Sequence, residues 1–399
     1  MPFSPASVRS AYPALADGHA YLDGAAGTQT PEPVIEAIAG AYRQGLGNIG
    51  GAFPASHRAG EIVAACRSAV ADLVGGQAEG VILGPNMTTL TYRLARVLTG
   101  PGDEVVLSRL DHDANVRPWT QTGATVRWAE VDPVTGELPV EQYAGLVGPR
   151  TRVVAVSAAS NILGTRPDVA AIAAIAHRAG ALTYVDGVHA TAHGPVDMRA
   201  LGADLYATSA YKWSGPHIGA VVADPALLET LRPDKLTPSP DTVPERFETG
   251  TAAFADLAGV TAAVEHLAGL VPGTGSRRDR LLASMAAAEE HELALFADLL
   301  SGLETLPHVT LYGKPARRTA TAYFTVAGLS PGETAARLAE RRVNVWSGHN
   351  YAWELTGALG VRDSGGAVRA GLVHYNDRSD VERLLQAVSE LRSSPPARP

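Results

Sequence analysis

The sequence has little cysteine and no long apolar run, and each shortage excludes a class of protein. Cys66 is the only cysteine of the 399 residues, which excludes an internal disulfide and a cysteine-rich metal site. No apolar stretch is long enough to span a bilayer, and the N-terminus lacks the apolar core of a signal peptide. We therefore expect a cytoplasmic protein without a membrane partner and without a bound metal.

The charge balance is mildly acidic, which argues against a nucleic-acid-binding protein. The net charge is −8 and no basic run or stripe is present, so we expect no nucleic-acid partner. The contents of 46% hydrophobic and 19% charged residues are typical of a globular chain rather than a disordered one. A chain of this length is expected to form two domains, or a large domain with a smaller one attached.

Lysine is also scarce. Among 33 lysines and arginines, the lysines are Lys212, Lys235 and Lys314. Lys212 lies in "TSAYKWSGPHIGA" (208–220), an apolar run with nearby glycines. Arginine carries a positive charge, but it cannot readily lose a proton and attack a carbonyl. We therefore interpret Lys212 as a residue that is present for its amine.

Short apolar runs alternate with helical patterns over the first two thirds of the chain. A helix is clearest at 168–180, where apolar residues recur at helical spacing and a glycine follows. Strands that are apolar at nearly every position predict an α/β fold, with a mostly parallel sheet buried on both faces. The predicted strands are 80–85, 103–108, 125–132, 151–160, 181–187, 203–210 and 217–224.

The pattern changes after residue 255, and we predict a large domain at 15–255. Residues 256–399, with 1–14, are predicted to form a smaller α+β domain. Its predicted helices are 256–270, 278–303 and 378–392, its predicted strands are 308–313, 318–328 and 341–348, and a frayed tail is expected at 393–399.

Unusual polar residues follow several predicted strands. They are "NMTT" (86–89), "DHDAN" (111–115), Asn161, Asp186 and Lys212. Each alone has an ordinary explanation as a helix cap or a turn residue. In an open α/β sheet, however, ligands bind at the carboxyl ends of the strands. We therefore expect these residues to converge on one rim of the sheet.

The residue types predict the ligand. A helix N-terminus with the hydroxyls of Thr88 and Thr89 suits a phosphate, and a buried carboxylate suits a protonated ring nitrogen. An imidazole can stack on a flat ring, and a lysine amine can react with an aldehyde. Phosphate, pyridinium and aldehyde together describe pyridoxal 5′-phosphate (PLP).

The chain resembles a known family over nearly its whole length. It is similar to the class V aminotransferases and cysteine desulfurases, in the SufS-like branch of the fold-type I PLP enzymes. This resemblance implies a large domain with a mostly parallel seven-stranded sheet, a smaller α+β domain, and a homodimer whose subunits share the active site. The motifs that carry the resemblance are "YLDGAAGTQTP", "DHDAN", "SNILGT", "VDGVHA", "SAYKWSGPHIG", "FETGT" and "VRAGLVHYN".

The resemblance also implies a role for each matching residue. Lys212 would hold PLP covalently and act in catalysis, Asp186 would pair with the ring nitrogen, and His112 would stack on the ring and assist proton transfer. Arg369 would bind the substrate α-carboxylate. The other implied contacts are Met87, Thr88 and Ser209 at the phosphate, Asn161 near the ring hydroxyl and the substrate, His189 at the ring hydroxyl, Tyr211 beside the lysine, and Thr251 from the partner subunit.

The loop 347–353, "SGHNYAW", departs from the family pattern. In the SufS-like branch this loop reads roughly Gly-His-His-Cys-Ala, and Tyr351 stands where the cysteine would be. A phenol cannot carry a persulfide, and Cys66 lies in a helical pattern typical of a buried apolar residue. We expect His349, Asn350, Tyr351 and Trp353 to line the substrate side, and Tyr351 to act as an acid or to fill space.

These residues predict an enzyme that acts on an amino acid, but not a persulfide-forming cysteine desulfurase. The leading hypothesis is a C–S lyase that eliminates a thiol from a cysteine thioether or sulfoxide and leaves pyruvate and ammonia. Transamination, epimerisation, and decarboxylation with or without oxygen are the alternatives. A binding module that has lost catalysis is disfavoured, because Lys212, Asp186, His112 and Arg369 are all retained.

Overall fold

The computed structural model describes residues 3–391, so the tail at 393–399 lies outside the described residues. Within this range, no helix combines the length and the apolar character needed to cross a membrane. The strands are β1 (Ala20–Tyr21), β2 (Val81–Gly84), β3 (Glu104–Ser108), β4 (Thr125–Ala129), β5 (Thr151–Ser157), β6 (Leu182–Asp186), β7 (Leu205–Ser209), β8 (Gly219–Ala223), β9 (Val309–Leu311), β10 (Thr321–Val326), β11 (Val343–Asn344), β12 (Trp346–Gly348) and β13 (Ala367–Gly371).

The helices alternate with the strands of the first two thirds of the chain and dominate the region after residue 250. They are α1 (Pro5–Arg9), α2 (Glu32–Gln44), α3 (Pro54–Val74), α4 (Met87–Leu98), α5 (Arg117–Thr120), α6 (Tyr143–Leu146), α7 (Val169–Arg178), α8 (Pro225–Thr230), α9 (Phe254–Ala268), α10 (Arg277–Glu304), α11 (Pro331–Ala339), α12 (Trp353–Ala358) and α13 (Arg378–Ser389).

Seven strands form the central sheet, in the order β2-β8-β7-β6-β5-β3-β4. Neighbouring strands from β7 to β4 run parallel, whereas β8 is antiparallel to both β2 and β7. The seven strands predicted for the large domain and the mostly parallel α/β sheet are thereby confirmed.

Both faces of this sheet are buried, which explains why its strands are apolar at nearly every position. Successive strand residues point to opposite faces. In β3, Val106 therefore joins the core that contains α3, α7 and α9, whereas Val105 and Leu107 join a second core with α4 and α5. The helices on the two faces exclude water from the inner strands, which therefore lack the polar alternation of a half-exposed sheet, whereas the edge strand β4 is partly exposed.

A smaller antiparallel sheet, in the order β12-β13-β10-β9, has its own core with α10 and α13. The predicted strand at 341–348 is wrong as a single element, because it divides around Val345 into β11 and β12 in two different sheets. β11 pairs in parallel with β1, so residues 20–21 join the C-terminal region. The division of the chain into domains at residue 255 stays a prediction.

A buried pair joins the long helix α10 to the segment after β6. Nδ1 of His193 lies 2.6 Å from Oε2 of Glu292, and both side chains are 1% exposed. Burial raises the pKa of Glu292, and the neighbouring histidine opposes that rise. Because neither group can reach water, loss of one partner would leave the other without compensation.

Glu292→Ala is expected to lower the free energy of unfolding by about 3 kcal/mol, because it leaves the His193 ring buried and unpaired. Urea unfolding, followed by circular dichroism, measures this change. Glu290→Ala makes the same substitution at an exposed position of α10 and should stay within about 0.5 kcal/mol of wild type. Equal losses in the two variants would contradict the structural importance of the pair.

Candidate active site

A cleft opens at the carboxyl ends of β3, β5, β6 and β7, and it holds about 430 Å³ of empty space. The structure thus brings together eight of the residues that the sequence analysis singled out, from five separate segments of the chain. The lining residues are Met87, Thr88, His112, Ala114, Ser157, Ala159, Asn161, Asp186, Val188, His189, Tyr211 and Lys212.

Lys212 lies one tight turn after the end of β7. Its amine donates a hydrogen bond to the backbone oxygen of Ala25, at 2.6 Å. Burial, with a smaller contribution from the positive charge of Arg369, lowers the pKa of Lys212 to about 7 against the opposing effect of Asp186. A large fraction of this amine is therefore unprotonated at neutral pH, which is the form that attacks an aldehyde or accepts a proton.

Asp186 ends β6 and is buried. One of its oxygens accepts a hydrogen bond from the N–H of Val188 at 2.9 Å, and within residues 3–391 it forms no direct ion pair. Burial raises the pKa of Asp186 to about 7. A cation placed against this carboxylate would hold it ionised, and a protonated ring nitrogen meets that need.

Asp111 is a second buried carboxylate, and the sequence analysis gave it no role. It accepts hydrogen bonds from the hydroxyls of Ser108 and Ser157 and from the amide of Asn115. Burial raises the pKa of Asp111 to about 6, and its charge also raises the pKa of Asp186. The sequence did contain a signal for Asp111, because this first aspartate of "DHDAN" comes shortly after a buried strand and Asp186 ends one.

His112 begins the turn after β3 and lines the cleft. Its Nδ1 accepts a hydrogen bond from the N–H of Ala114 at 3.0 Å. Burial lowers the pKa of His112 to about 3, and the charges of Lys212 and Arg369 act in the same direction. The imidazole is therefore neutral, with its proton on Nε2. Stacking on a cofactor ring stays a prediction.

His189 is held by residues that are distant in the sequence. Its Nε2 lies 2.9 Å from the hydroxyl oxygen of Thr319 and 3.2 Å from that of Thr321. Burial lowers the pKa of His189 well below its usual value, so this ring is also neutral. Nothing in the sequence around 319–321 indicated this contact. His193 does not line the cleft, and its ring contacts Glu292.

The N-terminus of α4 borders the cleft. Asn86 caps the helix by accepting a hydrogen bond from the N–H of Thr89 at 2.9 Å, and the N–H of Met87 donates to Oγ of Ser209 at 3.1 Å. A Cβ on Gly219 would lie only 2.2 Å from a backbone atom of Asn86, so β8 can approach this turn only with glycine there. The first N–H groups of a helix lack partners within the helix and bind phosphate well.

Arg369 is a buried cation in β13, with 4% of its surface exposed. Its side chain donates to the backbone oxygen of Asn161 at 3.1 Å, while Nε has no hydrogen-bond partner in the described residues. Oδ1 of Asn161 is likewise buried without a partner. Burial lowers the pKa of Arg369 to about 10. A bound carboxylate would supply Arg369 with the missing negative charge and an acceptor for Nε, whereas Oδ1 of Asn161 requires a donor.

The remaining predicted residues lie around the rim. Tyr211 stacks on His217, with ring centres 4.9 Å apart. The side-chain amide of Asn161 donates to the backbone oxygen of Asn350 at 2.8 Å, which ties the loop 347–353 to the cleft. Thr251 is exposed and does not line the cleft of its own chain, so its contact with a partner subunit stays a prediction.

The sequence profile of the family described as "Aminotransferase class-V" matches residues 20–384. The chain belongs to this family. Its members are PLP-dependent, so this class V protein is a PLP-dependent enzyme, and the fit of the cleft to PLP rests on Asp186, Lys212 and the N-terminus of α4 as described above. The roles of individual residues stay predictions.

Relatives match along almost the full length of this class V chain. An uncharacterized protein of Mycobacterium tuberculosis is 37% identical, over 98% of this chain and 100% of its own. A probable cysteine desulfurase of Pseudomonas aeruginosa is 34% identical, over 96% and 97% of the two chains. The crystal structure of the Escherichia coli cysteine desulfurase CsdA superimposes with a TM-score of 0.84 at 30% identity, covering 97% and 98% of the two chains.

The amine of Lys212 should react with small aldehydes at unusually low pH. In the cofactor-free protein, the rate of its reductive methylation by formaldehyde is expected to rise with pH, pass its midpoint near 7 and then level off. Mass spectrometry of the Lys212 peptide measures this rate, with Lys235 and Lys314 as internal references. Arg369→Gln removes a charge that lowers the pKa of Lys212, so the midpoint should move to higher pH. A Lys212 rate that still climbs beyond a pH of about 9 would contradict the assignment.

Proposed function

We propose that this class V enzyme is a C–S lyase, which eliminates a thiol from a cysteine thioether or sulfoxide. The observation that supports this proposal is a poised lysine amine near a buried, unpaired arginine, in a site that contains no thiol. Water completes the reaction, and the products are a thiol (a sulfenic acid from a sulfoxide), pyruvate and ammonia. Removal of the sulfur with its electron pair requires no sulfur atom of the protein.

The state of the only cysteine argues against a persulfide route. A persulfide forms when a thiolate attacks the substrate sulfur, so the cysteine must ionise and reach the substrate. Cys66 lies in α3, is fully buried and does not line the cleft. Burial raises the pKa of its thiol to about 12. Several relatives are named cysteine desulfurases, but in this chain Tyr351 occupies the exposed loop beside the cleft.

The proposed roles of the residues follow from their surroundings. When bound, PLP would withdraw electrons from Cα of the amino acid. Arg369 would hold the α-carboxylate, because its Nε–H is a buried donor without a partner, and Oδ1 of Asn161, a buried acceptor without a partner, would accept from the ring hydroxyl. Lys212, with its lowered pKa, would take the proton from Cα. Neutral His112 could donate its Nε2 proton to a departing group, with Nδ1 held by the N–H of Ala114.

Aminotransfer is the second candidate. A relative in Gibberella zeae, 31% identical over 97% of this chain, is named an aminotransferase-like protein. Aminotransfer also begins with removal of the Cα proton by a lysine amine, so the residues of the cleft suit both reactions. The two differ in their requirements, since aminotransfer needs a keto-acid acceptor and elimination does not.

Incubation of the holoenzyme with S-substituted cysteines should release pyruvate and thiol in equal amounts without a keto acid. Lys212→Ala should lower this rate at least about a hundredfold, because it removes the base. Lys314→Ala makes the same substitution at an exposed lysine, and Cys66→Ala removes the only thiol; both should retain the activity. Borohydride reduction should leave a pyridoxyl group on Lys212 of the wild type.

Two results would overturn the lyase proposal. If product forms only when a keto acid is added, the enzyme is an aminotransferase. If Cys66→Ala abolishes release of sulfur while the protein stays folded, sulfur is transferred through the protein thiol.

We also propose that the enzyme is a homodimer whose subunits share the active site. Ile35 and Tyr42 are exposed and lie seven residues apart on α2, hence on one face of the helix. Exposed Ile49 and Phe53 follow in the adjoining loop. Apolar groups clustered in this way are typical of an interface, and a twofold axis would place the patch against its own copy. α9, which begins just after Thr251, packs against α2.

Tyr42→Arg is expected to convert the dimer to a monomer, because it places a charge in the apolar patch. Light scattering coupled to gel filtration measures the mass of each variant. Val134→Arg changes a comparably exposed residue far from α2 in the sequence and should leave the dimer intact. A monomeric wild type, or a Tyr42→Arg variant that stays dimeric, would contradict the proposal.

A further inference from the structure

A second hollow adjoins the cleft on its outer side. It is open to solvent and is lined by Asp113, Arg117, His349, Tyr351 and Trp353. The two spaces are neighbours, because His112 lines the cleft and the next residue, Asp113, lines the hollow. None of the cofactor or carboxylate contacts described above uses this hollow.

The loop 347–353, which forms one wall of the hollow, is held in place by hydrogen bonds. The N–H of Asp113 donates to the backbone oxygen of Tyr351 at 2.7 Å, and the hydroxyl of Tyr323 donates to that of Gly348 at 2.7 Å. Asn350 and Tyr351 have φ angles of 49° and 57°. Two successive left-handed residues other than glycine are strained, and such a backbone persists only where its surroundings hold it.

This backbone arranges three rings around the hollow. The Tyr351 ring lies 5.5 Å from that of His112, and the His349 ring lies edge-on to those of Tyr351 and Trp353, at 5.9 Å and 5.4 Å. Tyr351 and Trp353 are nevertheless 67% and 42% exposed, and although the guanidinium of Arg362 lies 4.8 Å from the centre of the Trp353 ring, aromatic surface remains available to a ligand. Aromatic surface of this kind favours another flat ring, in stacked or edge-to-face contact.

The charges at the floor of the hollow are already compensated. Arg117 pairs with Asp113 at 2.9 Å and with Glu354 at 2.7 Å, and Glu354 also pairs with Arg109 at 2.8 Å. A charged ligand would have to compete with these ion pairs. An uncharged group could enter without breaking any of them, so the charge balance favours a neutral occupant.

The carboxylate contact and the hollow are linked through one residue. Arg369 donates to the backbone oxygen of Asn161, and the side chain of Asn161 donates to the backbone oxygen of Asn350, directly before Tyr351. An amino acid whose carboxylate is bound by Arg369 therefore lies beside the loop that forms the wall of the hollow. A side chain that extends beyond its γ atom could reach this wall.

We propose that the hollow is a side-chain subsite for an uncharged aromatic group, so that the substrates are amino acids with an aryl group beyond the γ position. For the lyase proposed above, on which this inference rests, they are S-arylmethyl or S-aryl cysteine conjugates. Trp353 and Tyr351 are then specificity-determining residues that contact the aryl group.

Sulfur-free ligands test the subsite without any elimination. The holoenzyme is titrated with norvaline, 2-amino-5-phenylpentanoate and 2-amino-5-cyclohexylpentanoate, and the dissociation constants are obtained from the absorption change of the bound cofactor. The phenyl ligand should bind roughly tenfold more tightly than the cyclohexyl ligand of similar size. Trp353→Leu should lower this ratio about threefold, whereas Trp353→Phe, which keeps a ring, should preserve it.

The outcomes separate this inference from the proposed reaction. Equal binding of the phenyl and cyclohexyl ligands, or equal ratios in the two Trp353 variants, overturns the subsite. An aromatic preference in binding, with no pyruvate from any cysteine conjugate, supports the subsite and rejects the lyase. Pyruvate release from methyl and benzyl conjugates at equal kcat/KM supports the lyase and rejects the subsite.

Discussion

The active site depends on charged groups that lack direct ion-pair partners in the described chain, with Asp186 and Arg369 buried and Lys212 partly buried. Asp186, Lys212 and Arg369 are each shifted by burial toward the neutral form, with pKa values of about 7, 7 and 10. Burying such groups is unfavourable, and a folded protein tolerates it where a ligand completes the charge balance. A cationic ring nitrogen is complementary to Asp186, and a substrate carboxylate is complementary to Arg369. The amine of Lys212 stays partly unprotonated and is therefore reactive.

The central sheet makes this burial possible because helices cover both of its faces. Its strand ends are the places where polar side chains can meet a ligand without entering the apolar cores. Segments far apart in the sequence then complete the site, including the carbonyl of Ala25 at Lys212 and Thr319 and Thr321 at His189. The buried pair of His193 and Glu292 joins this region to α10, so the cleft and the C-terminal region are linked by more than the covalent chain.

The loop 347–353 lies beside the cleft and is held there by its backbone contacts. A tyrosine stands at position 351, its backbone is left-handed, and hydrogen bonds hold the loop to the cleft through Asn161 and Asp113. In the proposed function, these aromatic side chains would select a substituent of the substrate, because a phenol cannot carry a persulfide. The fully buried position of Cys66 agrees with this view, because no other residue of the chain could provide a thiolate.

The sequence by itself determined the seven strands, the buried sheet and the residues at its strand ends, because apolar runs and polar interruptions are local patterns. The nearby glycines and the scarcity of lysine likewise indicated that Lys212 is present for its amine. Only the tertiary structure decided the division of 341–348 into β11 and β12, the partners of His189 and the role of Asp111 in the electrostatics of the cleft. These features depend on contacts between distant segments and on the exclusion of water. The spacing of residues along a chain specifies neither these contacts nor the exclusion of water. The pKa of a group, for example, is set by what surrounds it in space.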